Sequence, residues 1–182
     1  IDLGGELWTP IGNSSFKPYA GVFDGGGYTV SGLNVSNEAY AGLFGYVKGT
    51  SGDLAEVKNL VVQGSVSGTG EAGGIAGQAD NASFTNCGSE VSVSGKETGG
   101  IVGRQHSWGS PIAITGCYNT GAVDGTSRAG GIMGYVNDKA AISDCYNNGP
   151  VTGGSYAGGL RGMGGSSAGD ITNSYNAGQV TG

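Results

Sequence analysis

Ala129-Gly130-Gly131-Ile132-Met133-Gly134 is the stretch from which the fold can be read, because four relatives of it recur along the chain. They are Ala41-Gly42-Leu43-Phe44-Gly45, Ala72-Gly73-Gly74-Ile75-Ala76-Gly77, Thr98-Gly99-Gly100-Ile101-Val102-Gly103 and Ala157-Gly158-Gly159-Leu160-Arg161-Gly162. The central aliphatic residue, first met at Leu43, returns after 32, 26, 31 and 28 residues. A return of that length marks an array in which each unit closes its core only by stacking on the next.

Working outward, a second motif interleaves with the first. Its versions are Val30-Ser31-Gly32-Leu33, Val57-Lys58-Asn59-Leu60, Phe84-Thr85-Asn86-Cys87, Ile114-Thr115-Gly116-Cys117, Ile142-Ser143-Asp144-Cys145 and Ile171-Thr172-Asn173-Ser174. The third position holds only Gly, Asn or Asp, the residues that tolerate a left-handed backbone. Each unit is therefore expected to bend there. A third apolar column follows in Val66, Val93, Val123, Val151 and Val180, each two residues before a glycine.

Three short apolar segments per unit, separated by turn-formers and free of helical periodicity, predict an all-β fold. The expected architecture is a right-handed parallel β-helix, a solenoid of about six coils. Residues 1–29, where Trp8, Pro10, Phe16, Pro18 and Phe23 concentrate, read as an atypical N-terminal cap, leaving 30–182 as the repeats. The chain reads as a segment of a longer protein.

Composition narrows the function classes. Of 182 residues 41 are glycine and only 12% are charged, yet the glycines alternate with aliphatic residues at regular spacing, so order is expected. Net charge is −6 with eight scattered Lys and Arg, which leaves no basic patch for nucleic acid. No apolar run approaches the roughly 20 residues of a membrane-spanning helix, so this segment is not expected to insert.

Gly-Leu-Phe-Gly at 42–45 and its Gly-Gly-Ile-x-Gly relatives alternate with Ile-Thr-Gly-Cys-Tyr-Asn at 114–119 and Ile-Ser-Asp-Cys-Tyr-Asn at 142–147. These resemble the GLUG-motif repeats of bacterial surface and secreted proteins. The opening Leu7-Trp8-Thr9-Pro10-Ile11-Gly12, followed by Phe23-Asp24-Gly25-Gly26-Gly27, looks like the start of such an array. The resemblance implies an extracellular or cell-surface location, an adhesive or accessory role such as that within an immunoglobulin A peptidase, and a surface protein or glycan of a host or neighbouring cell as partner. It implies no catalytic residues, and the motifs themselves call for no cofactor or metal.

The side chains that could carry chemistry are few. Tyr118, Tyr146 and Tyr175 fall in one column and are expected to stack outward, where rings can meet sugars or a partner, or simply stiffen the rod. Trp108, beside the single histidine His106 in a loop, is a candidate contact residue. These four are the tentative ligand-binding set. Asn119, Asn147 and Asn176 are expected to form an amide ladder.

Cys87, Cys117 and Cys145 share a column with Leu33, Leu60 and Ser174, company that points to reduced core thiols rather than a disulfide or a metal site. Asp53, Glu56, Asp80, Asp138 and Asp170 lie in or beside the loops of variable length, so a row of carboxylates along one edge could serve a polysaccharide-cleaving site. Solvated edge charges would explain them as well. The sequence thus favours a non-catalytic structural or adhesive module, with a carbohydrate-active β-helix as the alternative.

Overall fold

A computed structural model describes residues 1–50, 52–107 and 109–182. Among them are eighteen strands and no helix. Every ladder between those strands is parallel.

The chain winds as a β-solenoid of five turns. Phe44–Lys48, Ala76–Asp80, Val102–Gln105, Met133–Val136 and Arg161–Gly164 stack in that order as one five-stranded face. The other thirteen strands join in a second sheet that bends around the remaining sides. The expectation of about six coils is one too many for the Gly-Gly face, where residues 1–21 arrive only through the isolated bridges Ile11↔Phe44 and Tyr19↔Val47. Pro10 and Pro18 lack the N–H that a ladder needs, and Gly12 turns the chain at φ 69°, so no strand forms.

The left-handed positions are where the sequence puts them. Asn59, Asn86, Asp144 and Asn173 have φ of 53°, 52°, 55° and 48°, and Gly116 has 65°. On the inner side, Val57, Phe84, Ile114 and Ile142 form one buried column, while Ile75, Ile101 and Ile132 form another from the Gly-Gly motifs. Burying each such side chain contributes about 1.5–3 kcal/mol.

The first repeat differs from the sequence alignment. Strand Val22–Ala41 pairs Phe23 with Val57, Asp24 with Lys58 and Tyr28 with Leu60, whereas Val30 meets Val62 and Leu33 meets Gly64. The column of Cys87 therefore runs back through Leu60 to Tyr28, and Leu33 is not a member. Phe23, whose ring packs edge-on against Phe44 at 5.4 Å, outcompetes Val30 for the column because it offers more apolar surface. Gly26 and Gly27, at φ 61° and 78°, absorb the extra residues at the bend. The regular ladder thus begins at Val22, inside the segment expected to cap it.

The glycines of the opening motif each answer to a close approach. A Cβ on Gly130 would stand 2.0 Å from the Met133 carbonyl oxygen, and one on Gly131 would stand 2.1 Å from that of Gly159. The spacing Gly-Gly-Ile-x-Gly is therefore a backbone-to-backbone corner, repeated each turn.

Candidate functional site

The tyrosine column forms as expected. Tyr118, Tyr146 and Tyr175 are in register on successive turns, with ring centroids 5.4 and 5.5 Å apart and planes inclined by 9° and 10°. At the inner end the Tyr118 ring lies over Gly88, where a Cβ would come within 2.3 Å of its Cζ. Its hydroxyl donates to Glu90 Oε1 at 3.1 Å, and Gln63 Nε2 donates to the other Glu90 oxygen at 2.8 Å. Burial, reinforced by the Glu90 carboxylate, pushes the Tyr118 phenol up to about 12.

Because the rings stack face to face, Tyr118 and Tyr146 use their faces on one another. The outward face of Tyr175, which is 57% exposed, is left for a planar or sugar ring. Trp108 lies outside the described residues.

Behind the tyrosines runs the amide ladder. Asn119 Nδ2 donates to Asn147 Oδ1 at 2.8 Å, and Asn147 Nδ2 to Asn176 Oδ1 at 2.7 Å. Each amide also donates to a carbonyl two residues on, at Gly121, Gly149 and Gly178. These side chains point inward, Asn119 and Asn147 being fully buried, and they reach the second glycine of the corner motif. A Cβ on Gly131 would come within 2.3 Å of Asn147 Cγ, and one on Gly100 within 2.4 Å of Asn119 Cγ. Amide column and second glycine are thus two halves of one device.

The cysteines are free and buried. The Cys87 and Cys117 amides donate to the sulfur of the next turn at 3.4 Å, and the Cys145 amide donates to Ser174 Oγ at 3.0 Å. Burial pushes the Cys117 thiol well above its ordinary value. Among the described residues no three His, Cys, Asp or Glu side chains gather as a metal site.

The two buried loop carboxylates each accept from backbone amides. Asp80 is fully buried and accepts four hydrogen bonds, from Tyr46 hydroxyl at 2.5 Å, the His106 and Ser107 amides at 3.0 and 2.7 Å, and Ser107 Oγ at 2.7 Å. Burial and that carboxylate raise the Tyr46 phenol far above its usual value. Asp138, also buried, accepts from the Gly109 amide at 2.8 Å. Gln105 ties the same loops, donating to the Ser107 and Ser110 carbonyls and accepting from the Asn137 and Asp138 amides. Glu56 pairs with Lys58 at 3.1 Å, while Asp53 and Asp170 are exposed. His106 is exposed and touches Asp80 through its backbone.

A further row escaped the sequence reading. Two residues before the first glycine of each corner motif stand Tyr40, Glu71, Glu97, Arg128 and Tyr156, and directly after the last glycine stand Tyr46, Gln78, Arg104, Tyr135 and Met163. The two columns meet at the corner. Arg104 bridges Glu71 at 3.1 Å and Glu97 at 3.4 Å, Arg128 donates to Glu97, and both guanidiniums lie on the Tyr135 ring, at 5.3 and 4.3 Å. The signal was available in the flanks of the motif, as Glu71, Glu97 and Arg128 succeeding one another in one column beside Arg104 in the other.

Fold and site together define a parallel β-solenoid whose polar side chains run in axial rows. No family model matches the chain. It is 35% identical over 108 residues to halomucin of Haloquadratum walsbyi, a match covering 57% of this chain and 1% of that protein. Among solved structures it superposes on a candidate immunoglobulin A1 protease from Bacteroides ovatus with a TM-score of 0.66 and 26% identity, over 96% of this chain and 66% of that one. The chain thus spans a small fraction of the first relative and just under two thirds of the second.

Proposed function

We propose that the chain is a non-catalytic structural and adhesive solenoid module of a cell-surface or secreted protein, of the GLUG-repeat kind. The observation that carries this reading is where its polar groups go. Asp80, Asp138 and Gln105 hold loops, Glu71, Glu97, Arg104 and Arg128 hold a corner, and the Asn column holds successive turns together. Each is engaged along the axis, and the two buried loop carboxylates, Asp80 and Asp138, are taken up by backbone amides of the loop that follows Gln105. The likeness to halomucin and to the Bacteroides ovatus structure favours an extracellular setting. Its partner on this reading is a protein or glycan of another surface.

The alternative, a carbohydrate-active module, draws its support from the exposed face of Tyr175. A glycan array with the intact chain and Tyr175→Ala tests both. Binding lost in the variant would make Tyr175 a sugar contact. Cleavage of a polysaccharide, abolished by replacing Asp53, Glu56 or Asp170, would overturn the non-catalytic assignment. Retained adhesion to whole cells without cleavage is the result expected.

A further inference from the structure

We propose that the cysteine column binds one soft closed-shell cation, of the Cu(I), Ag(I) or Hg(II) kind, in line between the sulfurs of neighbouring turns, with Cys117 as the shared ligand. Cys87, Cys117 and Cys145 follow one another at 30 and 28 residues, so no chelating spacing shows along the sequence. The winding supplies what the spacing lacks. Gly88, Tyr118 and Tyr146 pair across successive turns, and the three cysteines directly precede them.

All three sulfurs take the same pose. Each points back to the preceding turn, where it donates to the carbonyl of Val57, Phe84 or Ile114, at 3.5, 3.5 and 3.4 Å. Those carbonyls themselves belong to one column in register. The Cys87 and Cys117 amides donate to the sulfur one turn on, at 3.4 Å in both cases. Sulfurs in equivalent poses are separated by the turn-to-turn translation itself, about 4.8 Å.

That separation decides the chemistry. It is too wide for a disulfide, and side chains that point the same way do not meet its torsion. Two metal–thiolate bonds of roughly 2.3 Å laid end to end span about 4.6 Å, so a cation at the midpoint meets both sulfurs without moving a strand. A tetrahedral ion needs three or four donors, and among the described residues no three His, Cys, Asp or Glu gather. An ion that takes two ligands in line needs only the pair, and thiolate donors select soft ions.

Burial sets the charge. The three thiols are buried, so a net charge between them would be costly. A monovalent ion stays neutral by displacing one thiol proton to solvent and a divalent ion by displacing two; no electron is transferred. Three rungs offer two gaps, but both use Cys117, so one ion binds per chain. Beyond Cys145 the column continues in the Ser174 hydroxyl, a hard donor, and before Cys87 in Leu60, so neither outer gap takes the ion.

Silver nitrate, added to the intact reduced chain in chloride-free buffer, should bind at one ion per chain and release one proton, and mercuric ion should release two. X-ray absorption at the silver edge should show two sulfur neighbours and no oxygen or nitrogen. Cys87→Ser and Cys145→Ser each leave one gap and should shift the affinity by less than about threefold, whereas Cys117→Ser removes both and should weaken it about hundredfold. Equal weakening in all three variants would show capture by single thiols and overturn the proposal. So would a shell of one sulfur, or one containing oxygen, in the unaltered chain, a readout that does not depend on whether Cys117→Ser folds. Silver supplied during refolding as well as to the folded chain removes access as a limit, and no binding by either route would equally overturn it.

Discussion

The tyrosine–asparagine face and the Gly-Gly corner run along the same rod under opposite rules. On the first, like stacks on like: Tyr on Tyr at 5.4 and 5.5 Å, Asn on Asn at 2.8 and 2.7 Å, cysteine amide on the next cysteine's sulfur. At the corner, unlike meets unlike, with Glu71 and Glu97 set against Arg104 and Arg128. Neutral side chains can repeat every turn because each satisfies its copy, whereas a repeated charge faces its own sign across a rung, as Glu71 faces Glu97, and needs a base such as Arg104 to bridge the two. The ladders therefore add stability without telling one turn from another, and the corner supplies the distinction.

The largest effect should come where the two devices touch. Gly131→Ala drives a Cβ into both the Gly159 carbonyl and the Asn147 amide, and should cost about 4 kcal/mol in denaturant unfolding. A cost under 1 kcal/mol would mean that the corner yields freely and the coupling is absent. Next, Asn147→Ala strips a partner from the buried Asn119 and another from the exposed Asn176, and should cost about 3 kcal/mol by the same measurement.

Glu97→Gln leaves two guanidiniums facing an uncharged amide and should cost about 2 kcal/mol, the corner having partial access to water. If Glu97→Gln proved as costly as Gly131→Ala, the contrast between ladder and corner would need redrawing. Tyr146→Leu removes two ring stacks at a half-buried site and should cost about 1 kcal/mol.

The mildest test is alkaline. In the folded chain Tyr118 titrates near 12, against an ordinary value of 10.0, so its neutral form is favoured by folding. The associated stability is complete below pH 10 and is lost as pH rises toward 12, with Tyr46 adding in the same direction. Tyr118→Phe should flatten part of that decline in a pH series of melting curves. An unchanged slope would show that the Glu90 contact does not survive in solution.

How much of this was legible depended on whether a residue's role repeats. The left-handed bends at Asn59, Asn86, Gly116, Asp144 and Asn173, the Tyr and Asn columns and the buried thiols all recur with near-identical residues, so spacing alone placed them. Val30-Ser31-Gly32-Leu33 copies the motif but loses the column to Phe23, a competition decided by packing against Phe44 that no spacing encodes. The corner row runs Tyr40, Glu71, Glu97, Arg128 and Tyr156, with no one residue type kept along it, and so hides from a search for repeats. Asp80 looked like an edge carboxylate because nothing in its neighbourhood announces that Tyr46, His106 and Ser107, 26 to 34 residues away, would close over it.

The five-turn winding carries one further consequence, in reach. Each turn advances the rod by one strand spacing, about 4.8 Å, and uses roughly 30 residues, so the chain gains on the order of 0.16 Å of length per residue. An α-helix gains about 1.5 Å. As a means of holding two things apart this winding is about tenfold less effective per residue than a single helix. What it supplies in exchange is girth: a stiff, many-sided wall on which side chains of neighbouring turns stand at fixed intervals. A module shaped this way is suited to presenting a surface rather than to spanning a distance.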